Sequence, residues 1–148
     1  MNASAWDIEI AARTVWGEAR DQGVSGQLAV AWAIVNRHAV GKWYSSASIA
    51  ACCLYPYAFS SWNVGDPNLP QILHLPETDN GLAGCRAAVN AAINGAQVDP
   101  TGGATHYYVA GSPEPSWVTG INAQGVQVAA PALFCVQIGA HLFFKGVA

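Results

Sequence analysis

The segment Ile8 to Arg20, IEIAARTVWGEAR, places a carboxylic acid where it could transfer protons. Ile8, Ala11, Ala12, Val15 and Ala19 fall at the spacing of one helical face, so the segment predicts a helix docked by a narrow apolar stripe. Glu18 stands near its C-terminal end, where the helix dipole is negative, among Val15, Trp16 and Ala19, which offer little solvation. Both effects raise a carboxyl pKa, as a general acid requires near neutral pH. Gly17 is a poor helix former that lets another backbone or a ligand approach. The competing reading is an exposed glutamate paired with Arg20 or Arg13, and this segment alone favours it.

Other chemistries find less support. His38, His74, His106 and His141 show no HExxH or similar spacing, so no metal and no cofactor is expected. Cys52 or Cys53 with His106 could form a thiol hydrolase, although nothing in the spacing selects it. No GxSxG elbow appears. Glycosidic cleavage usually takes two carboxylates. Asp7, Glu9, Asp21, Asp66, Glu77, Asp79, Asp99 and Glu114 are the available partners of Glu18, and most lie in evident turns or caps. Asp99, next to Pro100, is explained as a turn former. One carboxyl group suffices if it first protonates the leaving oxygen and then takes a proton from the sugar's own hydroxyl.

The elements that must position these residues are readable from breakers and periodicity. At 148 residues the chain fits one domain, 1–148, able to bury roughly two thirds of its unfolded surface. It is 52% hydrophobic and only 10% charged, which suits a neutral polar ligand such as carbohydrate. A net charge of -3, with six Lys plus Arg and no cluster, argues against nucleic acid or an anionic membrane as partner. No secretory signal and no run of about eighteen apolar residues is found, so the expectation is a chain made in the cytoplasm, without membrane insertion and monomeric. If the substrate lies outside the membrane, a separate permeabilising protein must give access to it. Cys52, Cys53, Cys85 and Cys135 lack paired CxxC spacing and are read as free thiols, with a Cys53–Cys85 disulfide as the alternative.

A second, largely buried helix is expected from about Val24 to Val40, ended by Gly41. A short helix should cover Ser48 to Leu54 with a serine cap. Tyr55 to Leu69 reads as an aromatic loop, either the lid of a core or the wall of a groove. Thr78 to Gly95 is a third long helix, with Leu82, Cys85, Val89, Ala92 and Ile93 as its stripe. In ATHYYVA, a strand would put His106 and Tyr108 on one face and Tyr107 on the other. Further strands are expected around Val126 to Ala129 and Phe134 to Ile138. The fold class is therefore α+β, helix-dominated, with a small β-sheet.

The motifs AARTVWGEAR, AVAWAIVNR, CLYPYAFSSWN, DPTGGATHYY, Trp117 and IGAHLFF occur in this order from about Ile8 to Phe144. Together they resemble the SleB-type cell wall hydrolases, the spore cortex-lytic group whose small members include phage endolysins. The resemblance implies a lysozyme-like catalytic domain that acts on peptidoglycan glycan strands, cleaving between N-acetylmuramic acid and N-acetylglucosamine by lytic transglycosylation, with simple hydrolysis as the alternative. It also implies that the glutamate of the GEA motif, Glu18, is acid and base, which reverses the preference drawn from the helix alone.

The remaining site expectations are substrate contacts from His106, Tyr107, Tyr108, Trp117, Phe59 and Trp62. His106 and Tyr107 either hold the muramic sugar or pack across strands with a satisfied ring nitrogen. Trp62 and Trp117 either stack on pyranose faces or belong to the core, Trp117 being the better candidate. His141 is expected to be structural, bonded to a backbone carbonyl. The chain departs from the family pattern at Ala58, where a glutamine is usual, and at Ser61, where a cysteine is common. A thiol amidase acting on peptide stems and a catalytically silent sugar-binding module remain the rivals.

Overall fold

Ser4 caps the first helix with a reciprocal pair of bonds: its hydroxyl accepts from Asp7 N at 3.1 Å, and Asp7 Oδ2 accepts from Ser4 N at 2.9 Å. In the computed structural model, which describes residues 1–148, this helix, α1, covers Ala5–Ala19. It starts a turn earlier than its apolar stripe because the cap, not the stripe, sets the boundary. Asp7 Oδ1 also accepts from Ala50 N at 2.9 Å, which ties the start of α3 (Ile49–Leu54) to the start of α1.

α2 (Gly23–Ala39) buries Ala29, Val30, Ala31, Ala33, Ile34 and Val35, as its nearly continuous apolar composition requires. α5 (Asn80–Asn94) is capped by Asp79, which accepts from Leu82 N at 2.9 Å. It ends at Gly95, whose φ of 65° is the left-handed geometry that favours glycine. α1 packs against both long helices and against α3. Glu9 bridges Arg13 on its own helix and Arg86 on α5, each at 3.0 Å. These half-exposed pairs add little stability beside the shared apolar core of Ala12, Val15, Ile34, Leu82 and Val89.

Between α3 and α5 the chain forms a single 3-10 turn, Ser60–Trp62, and then α4 (Asn68–His74). α4 was not expected, because Pro67 and Pro70 read as breakers; both fall where the first-turn amides need no intrahelical partner. The sheet has strands β1 (His106–Val109), β2 (Leu133–Ile138) and β3 (His141–Lys145), ordered β1-β3-β2 and antiparallel. His106 pairs with Phe144 and Tyr107 with Phe143, and Phe143 anchors the sheet in the helical core.

Two expectations are corrected. Val126 to Ala129 forms no strand; only the bridge Ile121–Gln127 occurs there, because the chain turns back on Gly120, whose carbonyl accepts from both Val128 N and Ala129 N. The Cys53–Cys85 disulfide is not formed, and all four cysteines are free thiols. The α+β, helix-dominated architecture with its small sheet is as expected. No helix is long and apolar enough to cross a membrane.

Candidate active site

Gly17 determines what stands beside Glu18. A Cβ there would lie 2.7 Å from Ser61 Oγ and 2.8 Å from Ser61 Cβ, so only glycine lets the Ser60–Trp62 turn close on the last turn of α1. That contact brings Ser60 against the Glu18 carboxyl, which is half-buried and has a pKa raised from 4.5 to about 7. Burial is the main cause; hydrogen bonding from Tyr107 and Ser60 opposes it, and the nearby Asp66 carboxylate adds to it.

The ion-pair alternative for Glu18 is excluded by where the arginines go. Arg13 is held by Glu9 and donates to the carbonyls of Ile72 and Leu75, both at 2.8 Å. Arg20 lies over the Trp16 ring, 4.3 Å from its centroid.

Glu18 instead opens into a cavity of about 640 Å³, walled mainly by aromatic side chains. A second cleft of about 400 Å³ meets it at Glu18 and His141 and is lined by Arg20, Asp21, Gln22 and Asn68. The carboxyl group thus stands where an aromatic groove joins a polar one, with room for a chain on both sides.

β1 brings the expected residues of THYY to the groove. Tyr107 lies over Phe143, 5.4 Å between ring centroids, and its buried hydroxyl faces the Glu18 side without closing a hydrogen bond of ordinary geometry. That phenol is directed at the Glu18 carboxyl and tempers the rise that burial causes there. Burial, followed by the Glu18 charge, raises its pKa well above 10.0, so it stays protonated. On the opposite face of the strand, His106 and Tyr108 contact the Trp117 ring at 5.0 and 6.1 Å. His106 Nδ1 is 2.8 Å from Thr105 Oγ1, and burial, then the Arg37 charge, lowers its pKa to about 3. A ring that stays neutral cannot serve as the acid. Trp117 sits on the one-turn helix α6 (Ser116–Thr119) and lines both the groove and a smaller pocket of about 130 Å³.

Phe59 lines the groove from beneath, almost fully buried. Trp62 does not reach the groove: its ring packs against the core and its Nε1 donates to Thr14 Oγ1 at 2.9 Å. The indole's position is set by that bond, so the substrate contact expected of Trp62 is replaced by a structural one. His141 is corrected in the opposite direction. It bonds no carbonyl; its ring lies 4.7 Å from Tyr107, it lines both clefts, and its Nδ1 is buried without a partner.

Trp43 and Arg37 were not among the expected site residues, whereas Tyr57 belongs to the aromatic loop read as a lid or a groove wall. Trp43 and Tyr57 stand 67% and 86% exposed on the rim, as sugar-stacking side chains would. Tyr57 is the only non-glycine residue with positive φ, 63°, a conformation that commonly accompanies functional loops. Arg37, from the last turn of α2, reaches the groove beneath Phe59 and Tyr44.

The thiols stand apart. Cys52, Cys53 and Cys85 are buried and none lines the groove, while burial pushes Cys53 up to about 12 and Cys85 to about 11. Neither is a thiolate at working pH. Asp99 serves its turn, accepting from Thr101 N at 2.8 Å and Gly103 N at 3.0 Å, and also holds Asn36 of α2.

A helical domain with a small sheet and this groove is that of a cell wall hydrolase: residues 21–144 match the family model of that description, and the chain belongs to the family. The match begins just after Glu18, so the geometry around Glu18 is evidence independent of it. The chain is 33% identical over 112 residues to a spore cortex-lytic enzyme of Halalkalibacterium halodurans, an alignment covering 76% of this chain but only 30% of that protein. Two solved structures superpose over 97% of the chain at 29% identity, each with a TM-score of 0.70. They are the catalytic domain of the Bacillus cereus SleB protein, covered to 93%, and that of the germination-specific lytic transglycosylase SleB of Bacillus anthracis, covered to 98%.

Proposed function

We propose that the protein cleaves peptidoglycan glycan strands between N-acetylmuramic acid and N-acetylglucosamine as a lytic transglycosylase, with Glu18 as both acid and base. The protonated carboxyl gives its proton to the glycosidic oxygen, the bond from that oxygen to the muramic anomeric carbon breaks, and the N-acetylglucosamine fragment leaves. The carboxylate left behind takes the proton of the muramic C6 hydroxyl as its oxygen bonds to the anomeric carbon. The carboxyl group is regenerated and the other fragment ends in an anhydro sugar.

The observation that supports this reading most is that Glu18, poised near neutral pH, is the only acidic side chain lining the aromatic groove. A single acid suits a route in which the sugar supplies its own nucleophile. Tyr107 places a protonated hydroxyl beside the Glu18 carboxyl, and Tyr108, Trp117, Trp43 and Tyr57 offer faces for pyranose rings. His106 and Phe59 shape the floor. The similarity to the germination-specific lytic transglycosylase SleB of Bacillus anthracis supports the same reading.

Hydrolysis by water is the second reading, favoured by Asp21 in the adjoining polar cleft, where a carboxylate could orient water. Mass spectrometry of digested peptidoglycan separates the two. Anhydromuramic ends are expected, and reducing ends without them would discard transglycosylation.

A further inference from the structure

Arg37 is the one Lys or Arg side chain lining the groove, and no Asp or Glu side chain forms an ion pair with it. Its side chain is 8% exposed, it enters neither of the two ion pairs, and its Nε is buried without a hydrogen-bond partner. What holds it is aromatic: the guanidinium lies 5.1 Å from the Tyr44 ring centroid and 5.4 Å from that of Phe59. Burying a guanidinium without an anion is unfavourable, and cation–π contacts offset that only in part.

The neighbourhood deepens the imbalance. His106 is neutral, Tyr107 keeps its proton, and Glu18 holds its proton below its pKa of about 7. Asp7, at the start of α1, is committed to Ser4 and to Ala50 N. The groove therefore carries a positive charge in its lining, and a guanidinium's donor fork suits two oxygens of one acid.

We infer that Arg37 is a receptor for a carboxylate on the muramoyl side of the substrate, so that the groove selects the acidic sugar over its uncharged neighbour. This rests on the proposed muralytic function and adds the feature that sets its register. The two sugars of the strand share the acetamido group and differ in the lactyl ether, which ends in a carboxyl group. That group is a free carboxylate where no peptide is attached; where a stem is attached, the first free carboxylate lies further along the peptide. A cation fixed in the groove would place the muramic ring, and with it the C6 hydroxyl, on one side of Glu18.

Binding measured by NMR titration separates these possibilities, because the probes are not turned over. The probes are N-acetylmuramic acid, its lactyl methyl ester, N-acetylglucosamine and N-acetylmuramoyl-alanyl-glutamate. The free acid is expected to bind the wild type about tenfold or more tighter than its ester or N-acetylglucosamine, as a charge-assisted bond implies. Arg37→Met should bring all probes to similar affinity, and Arg37→Lys should keep part of the preference. If the dipeptide form alone binds tightly, the carboxylate recognised is that of the stem.

Equal binding of acid and ester by the wild type, with no tighter binding of the dipeptide form, overturns the inference, even if Arg37→Met fails to fold. A folded Arg37→Met protein that keeps the preference also overturns it. The melting temperature gives a second readout. A receptor strained by its unpaired charge predicts that Arg37→Met is as stable as wild type or more so; a purely structural staple predicts a lower melting temperature and an unaltered preference. Failure of the muralytic reading shows elsewhere, as wall lysis that survives Glu18→Gln.

Discussion

Replacing Glu18 by Gln removes a carboxyl group whose ionisation the fold resists, so stability and activity should move in opposite directions. The carboxyl pKa rises from 4.5 in an unfolded chain to about 7 in the folded protein, so the native state holds an extra proton between those values. Stability from this group is fully present below pH 4.5 and is lost as pH rises through about 7. The whole shift corresponds to about 3 kcal/mol. Glutamine has nearly the same shape and no charge, so it escapes the loss.

Urea denaturation of both proteins from about pH 4.5 to pH 8.5 measures this directly, and the difference between them cancels every other titrating group. The two should be nearly equal at the acid end, and Glu18→Gln should be more stable by about 2–3 kcal/mol at the alkaline end. Parallel profiles would show that the Glu18 carboxyl is as well solvated in the fold as outside it. The reasoning from burial to general acid would then fail.

Other outcomes follow from the same contacts. Gly17→Ala should cost about 1–3 kcal/mol and reduce wall lysis, because buried Ser61 cannot retreat; denaturation and turbidity assays check the two effects. Trp62→Phe should cost about 1 kcal/mol by removing the bond to Thr14 while lysis persists well below the melting temperature, whereas Trp117→Ala should raise KM more than it lowers stability. His106, held near 3 against 6.5 when unfolded, stabilises the protein fully above 6.5 and less as pH falls below it. His106→Asn should therefore flatten the acid limb of a melting-temperature profile. Iodoacetamide treatment of the native protein should leave lysis unchanged, since the three buried thiols are shielded and Cys135 lies outside the groove; loss of lysis would restore the thiol reading.

The helical half of the fold was legible because its signals are local. Asp79 and Gly95 mark α5 by cap chemistry, and α2 declares its burial by composition alone. α4 was hidden because proline reads as a breaker wherever it falls in sequence, and only the backbone shows that Pro67 and Pro70 sit in a first turn. The central strand β3 was missed because HLFFK carries no breaker pattern, although it holds the sheet together.

In the site, Glu18 was singled out by the family resemblance, its own helix favouring an exposed ion pair, while Tyr107 and Trp117 were left open between groove and core. Arg37 was not singled out, since a cation in the last turn of a helix has an ordinary explanation in the helix dipole. Its burial depends on Tyr44 and Phe59, which fold over it from separate segments. The opposite corrections at Trp62 and His141 share a cause. Whether a polar ring nitrogen meets a partner is decided by tertiary contact, with Thr14 supplying one for Trp62 and nothing supplying one for His141 Nδ1.

Turbidity loss of purified cell walls, followed for wild type and folded Glu18→Gln protein side by side, tests the role of Glu18 most directly. Wild type should clear the suspension, and the variant, though at least as stable, should do so more slowly by a factor of about 10² to 10⁴. Clearing at comparable rates by both proteins would contradict Glu18 as the proton donor.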